Sequence, residues 1–596
     1  MLRPVLFAAA VVALVAPVRA ADPDISGNWL LTYSQRGGMD QALAIIKVEM
    51  KDGKPIASTV YTPFKGLELA VTGFEVGNGK TIKFNTSVGW SFEGTLEADG
   101  KTAVGSLGVD VAPNRGKLTR TDKTELTQAE TIIRTEPPTP VAESQKLVIA
   151  AGSLRNQAIR EKDADKKKEL TEKADAAQKE LDEKQPSLLR EVAAKHADTP
   201  FGLDAAADLL RGAGKFKVSP AEAEQLFAVV EKAATPYGTR YTHAITGQIL
   251  DVLARQKGME TVAVAVAERM SKAFTDNDSP AYQSQILSAY KTALESSSVS
   301  NKDATLKTVN ATLIKLEAKI DAEYIKTVPP FKPTAFAGRK DKASNQVVVM
   351  ELFTGAQCPP CVAADVAFDA LQKSYKPTDL VLIQYHLHIP GPDPLTNQDT
   401  VARAKFYSVN STPTTLFNGK SQAPGGGGMA NAEGKFKQYT SIIDPLLEKT
   451  ADVKVAGKAT RKGDKVDIAV EVAGADGDEM KLRLLVVEET IKYVGGNQLR
   501  FHHQVVRAMP DGADGVAIKD KTFKHTAAVD LVDVRKGLTK YLDDFAATRP
   551  FPKPERPMDL KSLRVIALVQ NDKTKEIVQT LQIEIEGKPA TGAGGE

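Results

Sequence analysis

Phe353-Thr354-Gly355-Ala356-Gln357-Cys358-Pro359-Pro360-Cys361 is the stretch on which the reading of this chain turns. Before it, the β-branched run Gln346 to Phe353 predicts a strand, and after it Val362 to Ser374 predicts a helix. The two cysteines therefore stand where a strand hands over to a helix. A sulfur in that position faces unpaired N–H groups and the positive end of the helix dipole, which favour a thiolate over the thiol. Cys358 is accordingly the predicted nucleophile. Cys361 lies one turn further in and is the predicted resolving thiol, able to attack a mixed disulfide formed on Cys358. Pro359 and Pro360 fall in the first helical turn, where their missing donors are tolerated and the backbone is stiffened, and they are expected to meet the substrate.

Working outward, Asp379 to Leu387 predicts a second apolar strand, Asp399 to Tyr407 a helix and Thr414 to Phe417 a third strand. A Gly-rich turn and a helix near Phe436 to Lys449 follow. Gly425 to Gly428 has no phosphate-loop lysine after it and reads as a flexible turn. His386 to Asn397 holds Pro390, Pro392 and Pro394 and predicts an extended loop over the active face.

A βαβ unit followed by ββα, with Cys358-Pro359-Pro360-Cys361 at the first junction and Ser411-Thr412-Pro413-Thr414 before the third strand, resembles the thioredoxin superfamily. The resemblance covers residues 345–450 and implies a thioredoxin-like α/β domain. It implies that Pro413 is a cis-proline lying against the cysteine pair, and that the backbone of Thr412 pairs with an extended substrate. Glu351, seven residues before Cys358, lies near where such proteins keep a buried acid as proton shuttle. The activity implied is protein-disulfide oxidoreduction, with the Cys358–Cys361 disulfide as redox centre and no other cofactor. Its partners would be protein thiols or disulfides and a separate electron partner. A metal-handling alternative stays open: His386 and His388 are two apart, on one face if the strand extends that far, and with Cys358 and Cys361 would make a four-ligand set for copper or zinc.

Only two cysteines occur in 596 residues, so structural staples are absent, and a disulfide closing so short a loop constrains the unfolded chain little. The pair is better explained by chemistry. Residues 1–20 read as a secretory signal peptide: Arg3, an apolar run from Val5 to Val18, and the small-residue site at Val18-Arg19-Ala20. The chain is then expected outside the cytoplasm, periplasmic or envelope-associated, with no transmembrane span once the signal is removed. The formal charge of +3 includes two arginines of that leader, so the mature chain is nearly neutral and gives no electrostatic reason to expect nucleic acid.

The remaining sequence predicts a multidomain α+β protein. Residues 21–125 alternate in short segments punctuated by Asp52-Gly53, Asn78-Gly79 and Asp99-Gly100, which predicts an antiparallel β-barrel or sandwich. Gly27-Asn28-Trp29 resembles the opening of lipocalin-like barrels. Residues 140–326 predict an α-helical domain, in which the charged run Arg160 to Lys184 reads as a solvated helix or hairpin with i,i+4 pairs. Residues 327–344 form a proline-marked linker. Residues 451–587 alternate again and predict a β-sandwich, and 588–596 a disordered tail. Within that last domain, Gly495-Gly496-Asn497 and Arg500-Phe501-His502-His503 are expected to dock against the cysteine-bearing domain. The order of the last two domains resembles, more loosely, the Omp28-related outer-membrane protein group. The three domains around the cysteine-bearing one carry no catalytic motif, which leaves an envelope binding or scaffold protein as a further alternative.

Overall fold

The computed structural model describes residues 24–64, 69–77, 80–109, 112–475, 477 and 479–588. The expected signal peptide, the Asn78-Gly79 turn and the tail beyond Lys588 lie outside the described residues. Two compact units make up the chain, Met1–Glu317 and Ala318–Glu596.

The first unit opens with antiparallel strands β1 (Gly27–Gln35), β2 (Met39–Lys51), β3 (Lys54–Tyr61), β4 (Val71–Val76), β5 (Thr81–Thr86), β6 (Ser91–Leu96), β7 (Thr102–Val109) and β8 (Ala112–Thr121). Their order is β3-β2-β1-β8-β7-β6-β5-β4, so the sheet curls until its two end strands approach one another and is nearly a barrel. A short β9 (Ile132–Arg134) adds to β2. The interior is filled with side chains. Phe74, Phe84 and Phe92 stack at 5.7 and 5.2 Å, and buried Trp29 donates its indole N–H to Ile25 O at 2.8 Å beneath the Arg120 guanidinium.

Helices α1 (Thr139–Arg160), α2 (Ala164–Lys195), α3 (Pro200–Arg211), α4 (Pro220–Ala234), α5 (Gly238–Ala254), α6 (Glu260–Lys272), α7 (Pro280–Ser296) and α8 (Lys302–Thr327) follow. Three of them begin in the same way: Thr199, Ser219 and Ser279 each precede a proline and accept the N–H three residues on. The hydroxyl satisfies an orphan amide and the proline sits where none is needed. The charged run on α2 forms i,i+4 pairs, Lys173 with Glu169 and Lys184 with Glu180, in solvent. Arg115 of β8, 4% exposed, reaches Asp204 of α3 at 3.1 Å and ties the strands to the helices within this unit.

The second unit takes in the end of α8 and continues through β10 (Val348–Thr354), α9 (Val362–Ser374), β11 (Leu380–His386), α10 (Gln398–Tyr407), β12 (Thr414–Phe417), β13 (Lys420–Ala423) and α11 (Ala432–Leu447). β10 and β11 run parallel, β12 is antiparallel to β10, and β13 antiparallel to β12. Every residue of β10 and β11 is buried because both faces are covered, which is why they read as unbroken apolar runs. Val348, Met350 and Leu352 pack on α9 and α11, while Val349 and Phe353 share the opposite face with Ala404 of α10.

The rest of this unit comprises β14 (Lys454–Lys462), β15 (Lys465–Ala473), β16 (Met480–Lys492), β17 (Phe501–Ala508), β18 (Val516–Ala517), β19 (Thr522–Asp530), α12 (Leu531–Ala546), β20 (Leu563–Asn571) and β21 (Ile577–Lys588). Two features of the region expected to form a β-sandwich go beyond that expectation. First, β17 pairs parallel with β11 at Gln384 and Val505, so one sheet runs through both regions in the order β13-β12-β10-β11-β17-β16-β20-β21-β14-β15-β19. Second, the two layers are joined, because β21 pairs with β20 along Ile577 to Glu584 and with β14 from Ile585 onward. A strand that changes layer makes such a corner. The enclosed core includes Val466, Ile468, Leu484, Val565 and Leu538 of α12, a helix the alternating pattern did not predict. Among the described residues, no helix is long and apolar enough to cross a membrane.

Candidate active site at the Cys358–Cys361 junction

β10 ends at Thr354, and the chain then turns through Gly355-Ala356-Gln357 into the tight turn Pro359–Cys361 that opens α9. This approach is crowded by backbone from two other places. A Cβ on Gly355 would stand 2.8 Å from Ile389 O. From the far side, Asn497 N–H donates to Ala356 O at 3.0 Å and Gly496 N–H to Gln357 Oε1 at 2.9 Å, while a side chain on Gly495 would collide with Ala356 O. The Gly495-Gly496-Asn497 segment is thus docked on the turn that delivers the cysteines.

Cys358 and Cys361 form a disulfide, and both are buried, at 1% and 0% exposure, while Pro359 and Pro360 are exposed. The Thr412–Pro413 peptide is cis. Thr412 meets the outer sulfur directly, with its Oγ1 at 3.3 Å and its carbonyl O at 3.7 Å from Cys358 Sγ. The Gly-rich segment, expected to be a flexible turn, instead lies on the same prolines. Gly427 N–H donates to Pro360 O at 2.7 Å, Ala363 N–H donates to Gly427 O at 2.9 Å, and a side chain on Gly426 would strike Pro360 O and Pro413 Cδ.

Glu351 is not part of this group. Alternation along β10 turns it to the α10 face, where its carboxylate accepts from buried Arg403 Nη2 at 2.8 Å and Tyr385 Oη at 2.9 Å and from half-buried Tyr407 Oη at 2.7 Å. Its surroundings are those of a buried, fully satisfied ion pair, and the proton-shuttle expectation is corrected by that orientation. The acid on the cysteine side is Asp365, one turn beyond Cys361 on α9. It is 2% exposed, and it accepts from Thr354 Oγ1 at 2.9 Å and Gln384 Nε2 at 3.1 Å. Burial pushes its carboxyl up to about 8, against the smaller opposing effects of His386 and the Thr354 hydroxyl, so it holds its proton at neutral pH.

His386 and His388 part company because β11 ends at His386. His386 Nδ1 lies 2.7 Å from Asp393 Oδ2 with both side chains fully buried, and its ring meets His502 edge-on at 4.9 Å. His388 stacks on Phe545 at 3.6 Å and accepts the Asp393 N–H at 3.0 Å. Burial lowers His388 to about 4 and His502 to about 3, leaving both imidazoles neutral. Asp393 also accepts the Ala356 N–H at 2.6 Å. Although burial alone would raise it, the His386 ring and these N–H groups hold it below the usual carboxylate value. With the sulfurs bonded to each other and the rings engaged separately, the four-ligand set of the metal alternative is not brought together. Among the described residues no group of three or more His, Cys, Asp or Glu side chains is arranged to hold a metal ion.

Asp365 and Asp393 are the residues that sequence reasoning missed. Asp365 did leave a signal, as a lone acid within Val362-Ala363-Ala364-Asp365-Val366-Ala367, on a helix whose neighbours are all apolar. Asp393 left none beyond its place in the proline loop. No protein-family model, curated protein or solved structure matches the chain.

Proposed function

We propose that the protein is an exported thiol-disulfide oxidoreductase of thioredoxin-like fold, acting on protein disulfides through Cys358 and Cys361. The observation that carries the reading is the disulfide at the start of α9, seated against the cis Thr412–Pro413 peptide. The strand order β11-β10-β12-β13, with β10 and β11 parallel and the next two antiparallel, supports the thioredoxin-like assignment.

In the reduced protein the Cys358 thiolate attacks one sulfur of a substrate disulfide. The S–S bond breaks, a Cys358–substrate disulfide forms, and the leaving substrate thiolate takes a proton. Cys361, deprotonated, then attacks Cys358 Sγ, releasing the second substrate thiolate and restoring the internal disulfide. Two electrons pass to the substrate, the Cys361 proton goes to one of its thiolates and water protonates the other; the reverse sequence oxidises it through the same mixed disulfide. Asp365 stands one turn from Cys361 on α9 and in its ionised form is the proposed acceptor of the Cys361 proton, which returns it to the neutral acid.

The test is Cys361→Ala, which cannot resolve the mixed disulfide and is expected to accumulate adducts through Cys358, visible on non-reducing gels and by mass spectrometry. If no adducts form and the wild type neither reduces nor oxidises a model disulfide, the proposal fails.

A further inference from the structure

We infer that the Thr412 hydroxyl is a redox-switched hydrogen-bond donor, given to Ile389 O in the disulfide form and to the Cys358 thiolate in the reduced form. The inference deepens the thiol-disulfide reading and depends on it for its biological use. A threonine hydroxyl has one proton to give. Two acceptors stand within its reach, Ile389 O at 3.2 Å and Cys358 Sγ at 3.3 Å. A disulfide sulfur is neutral and a weak acceptor, so the carbonyl holds the proton while Cys358 and Cys361 are joined. A dithiol reductant delivers two electrons to that bond, Cys361 takes a proton, and Cys358 Sγ is left as a thiolate. A charge-assisted hydrogen bond is about twice as strong as a neutral one, so the proton turns to the sulfur. Only rotation about the C–O bond is required, because Oγ1 already stands at both distances.

What makes this donor matter is the sequence of the turn itself. The N–H groups at the start of a helix are the usual stabilisers of a thiolate there. Here the two residues after Cys358 are prolines and have no N–H, and the Cys361 N–H is directed to Cys358 O at 3.0 Å. With those amides deleted and Cys358 almost out of contact with water, a side-chain donor takes over their work. The same switch withdraws one tie from Ile389, in the loop that carries His388 and Asp393.

The experiment compares Thr412→Val and Thr412→Ser in a Cys361→Ala background, following thiolate ultraviolet absorbance and the rate of iodoacetamide alkylation against pH. Valine keeps the shape and removes the hydroxyl, so the midpoint of thiolate formation is expected to rise, while serine holds it at the threonine value. In the two-cysteine protein, Thr412→Val is expected to lower the equilibrium constant for reduction by glutathione about tenfold, equivalent to about 30 mV. Thermal melting of the disulfide forms checks folding, and Thr412→Ala replaces valine if the latter does not fold. A valine or alanine midpoint equal to that of threonine, or a serine midpoint displaced as far as valine, overturns the inference. Because these titrations need no protein partner, a hydroxyl effect without any disulfide exchange would refute the enzymatic reading alone. Exchange without a hydroxyl effect would refute only the switch.

Discussion

Replacing Asp365 by asparagine should make the protein more stable, and increasingly so as the pH rises. In the unfolded chain this carboxyl ionises at its ordinary value of 3.8, whereas burial in the folded protein pushes it up to about 8. Between those values the native state keeps a proton that the unfolded state gives up. The stability associated with the group is therefore full below the unfolded value and is lost as the pH climbs through the folded one, at about 1.4 kcal/mol per pH unit. By about pH 7 the accumulated loss is on the order of 4 kcal/mol. Asparagine does not ionise and escapes this loss. Its carbonyl accepts from Thr354, and its amide can face Gln384 Oε1, which is buried without a partner in the native protein, once the Gln384 amide turns over. The assay is urea denaturation of the disulfide forms of wild type and Asp365→Asn at about pH 5 and 7, where the gap is expected to widen by ~3 kcal/mol between the two. An equal gap at both pH values would show that Asp365 is already ionised in the folded protein, and the assignment of a neutral acid beside Cys361 would fall.

Gly426→Ala sets a methyl group against Pro360 O and Pro413 Cδ, neither of which can move freely. It is expected to destabilise by ~1–3 kcal/mol and to speed reduction of the disulfide by a small dithiol, since the Gly-rich segment must lift; unchanged melting and unchanged reduction rate would show that the segment is not seated there. Glu351→Gln leaves the Arg403 guanidinium buried with a weakened partner and is expected to lose about 3 kcal/mol in chemical denaturation. The pH profile of thiol-disulfide exchange should not move, and a displaced profile would return Glu351 to the chemistry.

What could be read from the chain was what local pattern records. The unbroken apolar runs of β10 and β11 and the cysteine pair between β10 and α9 were legible because burial on both faces and a strand-to-helix junction leave a mark on consecutive residues. So were the hairpins of the first unit and the charged face of α2. The α12 helix was legible in principle, with Leu531, Val534, Leu538 and Leu542 three and four apart behind the Asp530 cap, yet it lay among alternating strands and passed for one of them. The site's other half was not legible, because it is made by residues far apart in the chain. Nothing near Gly426 foretells Pro360, and although the Gly495-Gly496-Asn497 segment was expected to dock on the cysteine-bearing domain, nothing near it names Ala356 as the point of contact. Glu351 misled for a related reason: its distance from Cys358 along the chain was within a residue of a shuttle's, but the pleat of β10 decides the face, and the partner that fixes it, Arg403, comes from α10.

The single sheet that joins β11 to β17 has a consequence for how the molecule is made. A chain emerging from its N-terminus produces Cys358 and Cys361 long before Asn497, which braces their turn, or Gln570, whose Oε1 accepts from Arg403 Nη1 at 2.8 Å and so secures the ion pair behind β10. Until those later residues arrive, β11 is an open edge and the thiols lack their full enclosure. The cysteine-bearing segment is for the same reason a poor cassette: transplanted as residues 345–450, it would carry the sulfurs without the strand and the glycine brace that complete their surroundings.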